Sequence, residues 1–378
     1  MVRFSLSPRR AMTAKLLPLD HIPADLVSAA DYQRYAARHM SANARAYVDS
    51  AAADELSHAA NLAAFARRQL QTQVLADVRG GHCRSELFGL SLSHPLLLAP
   101  VAYQKLVHAD GERAAAYAAT AMGSSMLVST LASTPLEEVA AAAQGALWFQ
   151  LYWQHDRAVV AELVQRAEAA GYRALVLTVD APLAGVRNAE ARAGFQLPPR
   201  VQAANLAGMA PFQPALAAGQ SMVFDGLMAV APSWADIDWL RQQTRLPLLL
   251  KGVLAPRDAR RAMQQGVDGL IVSNHGGRVL DSVPASLDAL PRIAEAVDGA
   301  LPLLLDGGIR RGSDILKALA LGASAVLIGR PYIHALATAG ALGVAHLLRT
   351  LQEELEVAMA LTGCRTLADI SPEVLWPE

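Results

Sequence analysis

Four apolar runs, PLLLKGV (247–253), GLIVSN (269–274), PLLLDGG (302–308) and SAVLIGR (324–330), decide how this chain folds. Each is short, rich in leucine or β-branched residues, and stops at a glycine or a polar side chain, as strands buried on both faces do. Between them lie APRDARRAMQQG (255–266), SLDALPRIAEAV (286–297) and RGSDILKALALG (311–322), whose apolar residues recur at helical spacing. Strands alternating with helices imply a parallel sheet. Upstream the rhythm is the same, through PLLLAPVAY (95–103), SMLVST (125–130), ALWFQLYW (146–153) and ALVLTVD (174–180). Each is followed by a helix candidate, the last after a long interruption. Repeats of this number and order predict one α/β domain, a closed (β/α)8 TIM barrel, rather than an open sheet.

The 378 residues exceed what such a barrel needs, so extensions are expected at its ends. From Ser28 to about Gln73 the chain is alanine-rich and free of glycine, and residues 28–94 are assigned to an N-terminal helical extension, with the barrel over 95–370. Residues 1–27 lack the apolar core of a signal peptide and read as a loose tail in which Met12 is a second candidate start; 371–378 read as a C-terminal tail. Hydrophobic residues make up 53% and charged ones 18%, which supplies a large core and excludes general disorder. A formal charge of −1 argues against a nucleic-acid surface. Cys83 and Cys364 build neither a disulfide framework nor a metal cluster and fit a reducing, cytoplasmic setting. No stretch reads as a membrane span.

The interruption runs from Ala181 to Pro232, far beyond an ordinary strand-to-helix loop. Between Val201 and Ala235 it carries a single charge, Asp225, while glycines and prolines break any continuous helix. A lid folding over a ligand is the favoured reading, with membrane contact through residues 201–235 as the alternative.

In barrels of this kind the site lies at the C-terminal ends of the strands, and the polar residues collect there. Gln150 and Tyr152 end the third run, Thr178 and Asp180 the fourth, and Lys251 the fifth. His275 and Arg278 follow the sixth, Asp306-Gly307-Gly308-Ile309-Arg310 the seventh, and Gly329-Arg330 the eighth. His275 can exchange a proton near neutrality, and the planar fork of Arg278 suits a carboxylate. The glycine turns after runs seven and eight offer backbone N–H groups to a phosphate, with Arg310 and Arg330 adding charge. Lys251, one of only four lysines, is costly at a buried strand end unless it meets an anion.

The string SNHGGRVLD (273–281), together with LDGGIRRG (305–312) and LIGRP (327–331), resembles the signature of the FMN-dependent 2-hydroxy-acid oxidising family, which includes glycolate oxidase, lactate oxidase, flavocytochrome b2 and mandelate dehydrogenase. The resemblance extends from Ala30 to Ile370. It implies FMN as cofactor, and no GxGxxG follows a strand to suggest a dinucleotide instead. It places Pro100, Val101 and Ala102 against the flavin face, and Ser129, Gln150 and Thr178 on the ring's polar edge. Lys251 and Ser273 join the ring, and Asp306, Gly307, Gly308, Arg310, Gly329 and Arg330 the phosphate side.

By the same resemblance His275, paired with Asp180, is the base; Arg278 and Arg187 grip a carboxylate; Tyr47 and Tyr152 hydrogen-bond to substrate. The sequence departs from the family's usual pattern at Val101, where threonine is common, at Ala51 and Ala53 beside Tyr47, and at Leu183 and Val186 beside Arg187. Leu131 stands where plant-type glycolate oxidases resemble one another in having tryptophan, which implies a wider, apolar substrate pocket. The implied activity is oxidation of an L-2-hydroxy acid, lactate or a longer or aromatic one, to the 2-oxo acid by a homotetramer or octamer. The competing readings are a membrane-associated, quinone-linked dehydrogenase and a non-catalytic FMN-binding barrel.

Overall fold

The computed structural model describes residues 15–210 and 212–377. Three helices open it: α1 (Ala29–His39), α2 (Ala42–Asp49) and α3 (Leu56–Arg67). The first two begin where the hydroxyls of Ser28 and Ser41 accept the N–H groups of Asp31 and Ala44, donors that a helix start otherwise leaves open. The rest of residues 28–94 is not helical. β1 (Ser85–Leu87) and β2 (Leu90–Leu92) form an antiparallel hairpin whose Leu87, Phe88, Leu90 and Leu92 pack into the bottom of the barrel, where the Phe88 ring meets the edge of Trp148 at 5.5 Å. Strands of three residues are too short for their alternation to register in the sequence.

The barrel strands are β3 (Leu96–Leu98), β4 (Leu127–Ser129), β5 (Trp148–Leu151), β6 (Leu175–Thr178), β7 (Leu248–Val253), β8 (Gly269–Val272), β9 (Leu303–Asp306) and β10 (Ala325–Ile328). All eight are parallel, in the order β3-β10-β9-β8-β7-β6-β5-β4, and a bridge between Leu98 and Met126 joins the two ends. Alternate side chains such as Leu97, Leu127, Val176, Leu249, Ile271, Leu304 and Leu327 fill the interior. Their neighbours, among them Leu96, Val128, Leu175, Leu250, Leu270, Leu305 and Val326, meet the surrounding helices. Burial on both faces is why these strands read as unbroken apolar runs.

The surrounding helices are α4 (Gly111–Ala121), α5 (Leu136–Ala142) and α6 (Arg157–Ala169), then, past a short α7 (Asn188–Arg192) inside the interruption, α8 (Trp234–Gln243), α9 (Pro256–Gln264), α10 (Ser286–Val297), α11 (Gly312–Ala320) and α12 (Arg330–Leu361). α12 breaks at Ala339 and Gly340 and packs against α1, α4 and α11. Contrary to expectation, α12 is long and apolar enough to cross a membrane by length and composition; 78% of its apolar window is buried within the fold, so it is apolar because it is core.

Residues 15–27 and 371–377 are better held than tails would be. Residues 1–14, with Met12, lie outside the described residues, but the N–H groups of Leu16 and Leu19 donate to the carbonyls of Arg38 and Thr338 at 2.9 and 2.7 Å, and Leu26 is buried. At the other end Leu375 bridges Leu70, the Trp376 N–H donates to the Gln69 carbonyl at 2.9 Å, and Val374 is buried. The interruption, carrying α7 and short turns at Ala204–Leu206, Met222–Leu227 and Met228–Val230, lies over the strand ends.

Candidate active site

After β8 the chain turns sharply, and His275 adopts φ +57, a left-handed conformation uncommon for a residue with a side chain. The turn is held from several sides. Ser273 Oγ accepts the His275 N–H at 2.9 Å, Ser286 Oγ accepts the Asn274 N–H at 3.0 Å, and Asn274 Oδ1 accepts the Gly277 N–H at 3.1 Å. Asn274 and Asn61 of α3 exchange amide hydrogen bonds of 2.8 and 3.0 Å, a role not readable from either residue's position in the chain. Backbone strain fixed in this way is characteristic of working sites. It leaves His275 Nδ1 2.9 Å from Asp180 Oδ1 and Nε2 3.2 Å from the Tyr152 hydroxyl.

Asp180 reaches the histidine because β7 bulges between Lys251 and Val253. Gly252 there has φ +109, and a Cβ on it would lie 2.4 Å from Asp180 Cβ, so only glycine lets the two segments meet. Burial alone would raise the Asp180 pKa, but His275 and Lys251 outweigh it and hold the carboxyl below its usual range. Lys251 Nζ lies 2.8 Å from Asp306 Oδ2 and donates to Ser273 Oγ at 2.8 Å. Burial would strip its proton, yet Asp306 and Asp180 outweigh burial and raise its pKa above that of an ordinary lysine. Asp306, expected beside the phosphate loop, is thus the partner of Lys251.

The two site arginines are held by different elements. Arg278 Nη1 donates to the carbonyls of Tyr47 and Ser50 at 2.9 and 2.6 Å, and its guanidinium lies 5.2 Å from the centre of the Tyr47 ring. Arg187, at the start of α7, contacts Glu190 at 3.1 Å through Nη1, while its buried Nε has no partner among the described residues. Glu190 carries no motif and was not expected here; in NAEAR it looks like any carboxylate of a solvated helix face.

His275, Tyr152, Arg187, Arg278, Tyr47, Lys251, Thr178 and Asp306 line one cavity of about 170 Å³, with Pro100, Val101, Ala102 and Leu131 as its apolar wall and Gly307, Gly308, Arg310, Gly329 and Arg330 at its far end. Ser129, Gln150 and Ser273 are buried and do not line it; Gln150 Nε2 donates to Thr178 Oγ1 at 2.9 Å and Ser129 Oγ accepts the Leu131 N–H at 3.1 Å. A second cavity of about 360 Å³ shares Leu131, Tyr152, Thr178, Arg187 and His275 and extends under the interruption between Trp153, Leu206, Phe212, Leu227 and Val230.

The far end suits a phosphate. Gly308 has φ +96 and packs so closely on α3 that a Cβ would lie 2.4 Å from the Asn61 carbonyl oxygen. Among the described residues neither Arg310 nor Arg330 is paired with a carboxylate: Arg310 Nη1 donates to its neighbour Ile309, and Arg330 donates to the carbonyls of Val48, Gly276 and Ser50. Desolvation pushes the Arg310 pKa down to about 10; desolvation, then Arg278 and Arg310, push that of Arg330 down to about 9. Such crowding of positive charge is relieved by a dianion. The unpartnered Asp306 Oδ1 beside Lys251 adds an acceptor for a ring N–H or a hydroxyl, and the apolar wall suits a flat ring, so the residues fit FMN.

Comparison with known proteins agrees with this geometry. Residues 36–377 match the FMN-dependent dehydrogenase family. The chain is 52% identical over 363 residues to an L-lactate oxidase of Alicycliphilus denitrificans, covering 95% of this chain and 99% of the relative. It is 42% identical over 349 residues to glycolate oxidase of Spinacia oleracea, covering 92% and 95%. Its structure is similar to that of mandelate oxidase with benzoyl-formic acid, with a TM-score of 0.84, 41% identity, and coverage of 93% and 98% of the two chains. With its closed barrel and a cavity fitted to a flavin phosphate, the chain belongs to the FMN-dependent dehydrogenase family and is an FMN-dependent enzyme that oxidises 2-hydroxy acids.

Proposed function

We propose that the substrate is an L-2-hydroxy acid with an apolar side chain, lactate or larger, and that His275 is the base. The carrying observation is the imidazole held by Asp180 at Nδ1 with Nε2 turned to Tyr152, in a cavity that two arginines also line. Converting R–CH(OH)–COO⁻ to R–CO–COO⁻ releases two electrons and two protons, and bound FMN would supply the acceptor for both electrons and one of the protons. Arg187 and Arg278 receive the carboxylate. Burial raises the pKa values of Tyr152 and Tyr47, so both phenols stay protonated and able to donate to substrate oxygens. His275 Nε2 takes up a proton, and Asp180 stabilises the resulting imidazolium while fixing the ring's orientation.

The substrate side chain enters the second cavity past Leu131, which supports the larger acids. An added methylene in an apolar pocket is worth about 1–3 kcal/mol, so L-lactate or L-mandelate should exceed glycolate in kcat/KM by roughly tenfold or more. Comparing the three substrates tests this, and a preference for glycolate overturns the assignment. Failure of all three to bleach the flavin without oxygen would overturn the activity itself. The oxidase names of the relatives support dioxygen as the final acceptor, which peroxide formed per substrate consumed checks directly.

A further inference from the structure

Glu190 is placed to do more than decorate a short helix. Its Oε2 lies 3.1 Å from Arg187 Nη1 and 3.9 Å from Arg278 Nη2, and it accepts from Ser50 Oγ at 3.5 Å. Its side chain is only 18% exposed, and among the described residues neither arginine has another carboxylate partner. The segment that carries it is bolted to α2: Asn43 Nδ2 donates to the Gln196 carbonyl at 2.8 Å, the Gln196 N–H donates to Asn43 Oδ1 at 3.2 Å, and Phe195 stacks on Tyr47 at 5.0 Å. The Ala53 N–H donates to the Val186 carbonyl at 2.8 Å. Glu190 is therefore fixed relative to both arginines and to Tyr47.

Two guanidinium groups facing one cavity repel each other, and burial followed by Arg187 already lowers the pKa of Arg278. We propose that Glu190 is a positioning residue for the substrate carboxylate: it bridges Arg187 and Arg278 and offsets their repulsion, so that both guanidinium groups are held toward one incoming acid. This rests on reading the two arginines as the carboxylate clamp.

The test uses FMN-loaded wild type, Glu190→Gln and Glu190→Asp, with steady-state turnover of L-lactate and titration of pyruvate into the oxidised enzyme, followed by flavin absorbance. In Glu190→Gln, KM for lactate and Kd for pyruvate should rise about tenfold or more while kcat stays within about threefold, the pattern of lost uniform binding. Glu190→Asp keeps the charge on a shorter arm and should recover part of that loss. Unchanged KM and Kd in Glu190→Gln overturn the proposal, and tighter binding overturns it by showing that Glu190 competes with the substrate. Should Glu190→Gln not hold FMN, Glu190→Asp decides, since KM must still rise with kcat kept. A wild type that turns over no 2-hydroxy acid would instead remove the reading of the site, which the wild-type control separates from failure of Glu190 alone.

Discussion

At the scale of single residues the site is a set of held donors and acceptors, and the hold itself predicts what substitutions do. His275 is oriented through Nδ1 by Asp180 and through its strained backbone by Ser273. His275→Gln should retain FMN and lose at least about 100-fold in kcat, the low end for removing a general base. Stopped-flow flavin reduction checks this, and an active variant would take His275 out of the reaction. Arg278 already spends Nη1 on two carbonyls and packs on the Tyr47 ring, which a lysine cannot reproduce. Arg278→Lys should keep the charge and weaken substrate binding by at least about tenfold, read from KM and from pyruvate affinity. His275, Arg278, Asp180 and Lys251 were legible because each is an unexpected polar residue at the end of an apolar run. Glu190 was not, since a carboxylate among alanines near arginines is also what a solvated helix turn looks like.

At the scale of elements, those the sequence reveals least are those that close the barrel. The β1–β2 hairpin plugs its base with four large side chains, yet each strand is a single short alternation between turns. The interruption is plain from its length but not in its shape. It turns Leu206, Leu227 and Val230 toward the substrate cavity, while Met222, Val223, Phe224 and Met228 remain exposed. If the segment serves as a lid, the intact protein should fractionate as soluble, and shortening it between Val201 and Ala235 should change KM and kcat without changing partitioning. Recovery of the intact protein with membranes, lost on shortening, would favour the quinone-linked alternative.

For the whole molecule, the crowding of positive charge at the flavin end has a consequence for stability. α3 packs directly under the His275 turn, where a Cβ on Gly277 would lie 2.6 Å from the His58 backbone nitrogen. Burial, then Arg330, Arg310 and Arg278, push the His58 pKa from 6.5 down to about 4. Between those values the unfolded chain binds the proton and the folded chain does not, so stability is lost as pH falls through that window. The Tm of flavin-free protein should drop on acidification, and His58→Leu should flatten the slope; equal slopes in the two proteins would count against His58. The barrel itself, and the strand-end residues that face its mouth, were determined by sequence alone. Strand, helix and turn signals are local, and eight repeats of them leave one compact way to bury every apolar run. Only the tertiary structure decided that residues 15–27 and 371–377 dock, that the hairpin fills the base, and that Lys251 pairs with Asp306 and Glu190 with Arg187. Which ionic groups pair, and which neighbours a short segment packs against, depend on distances set by barrel closure, a β-bulge and the packing of α2 and α3, and a few ångströms decide which carboxylate a buried cation meets.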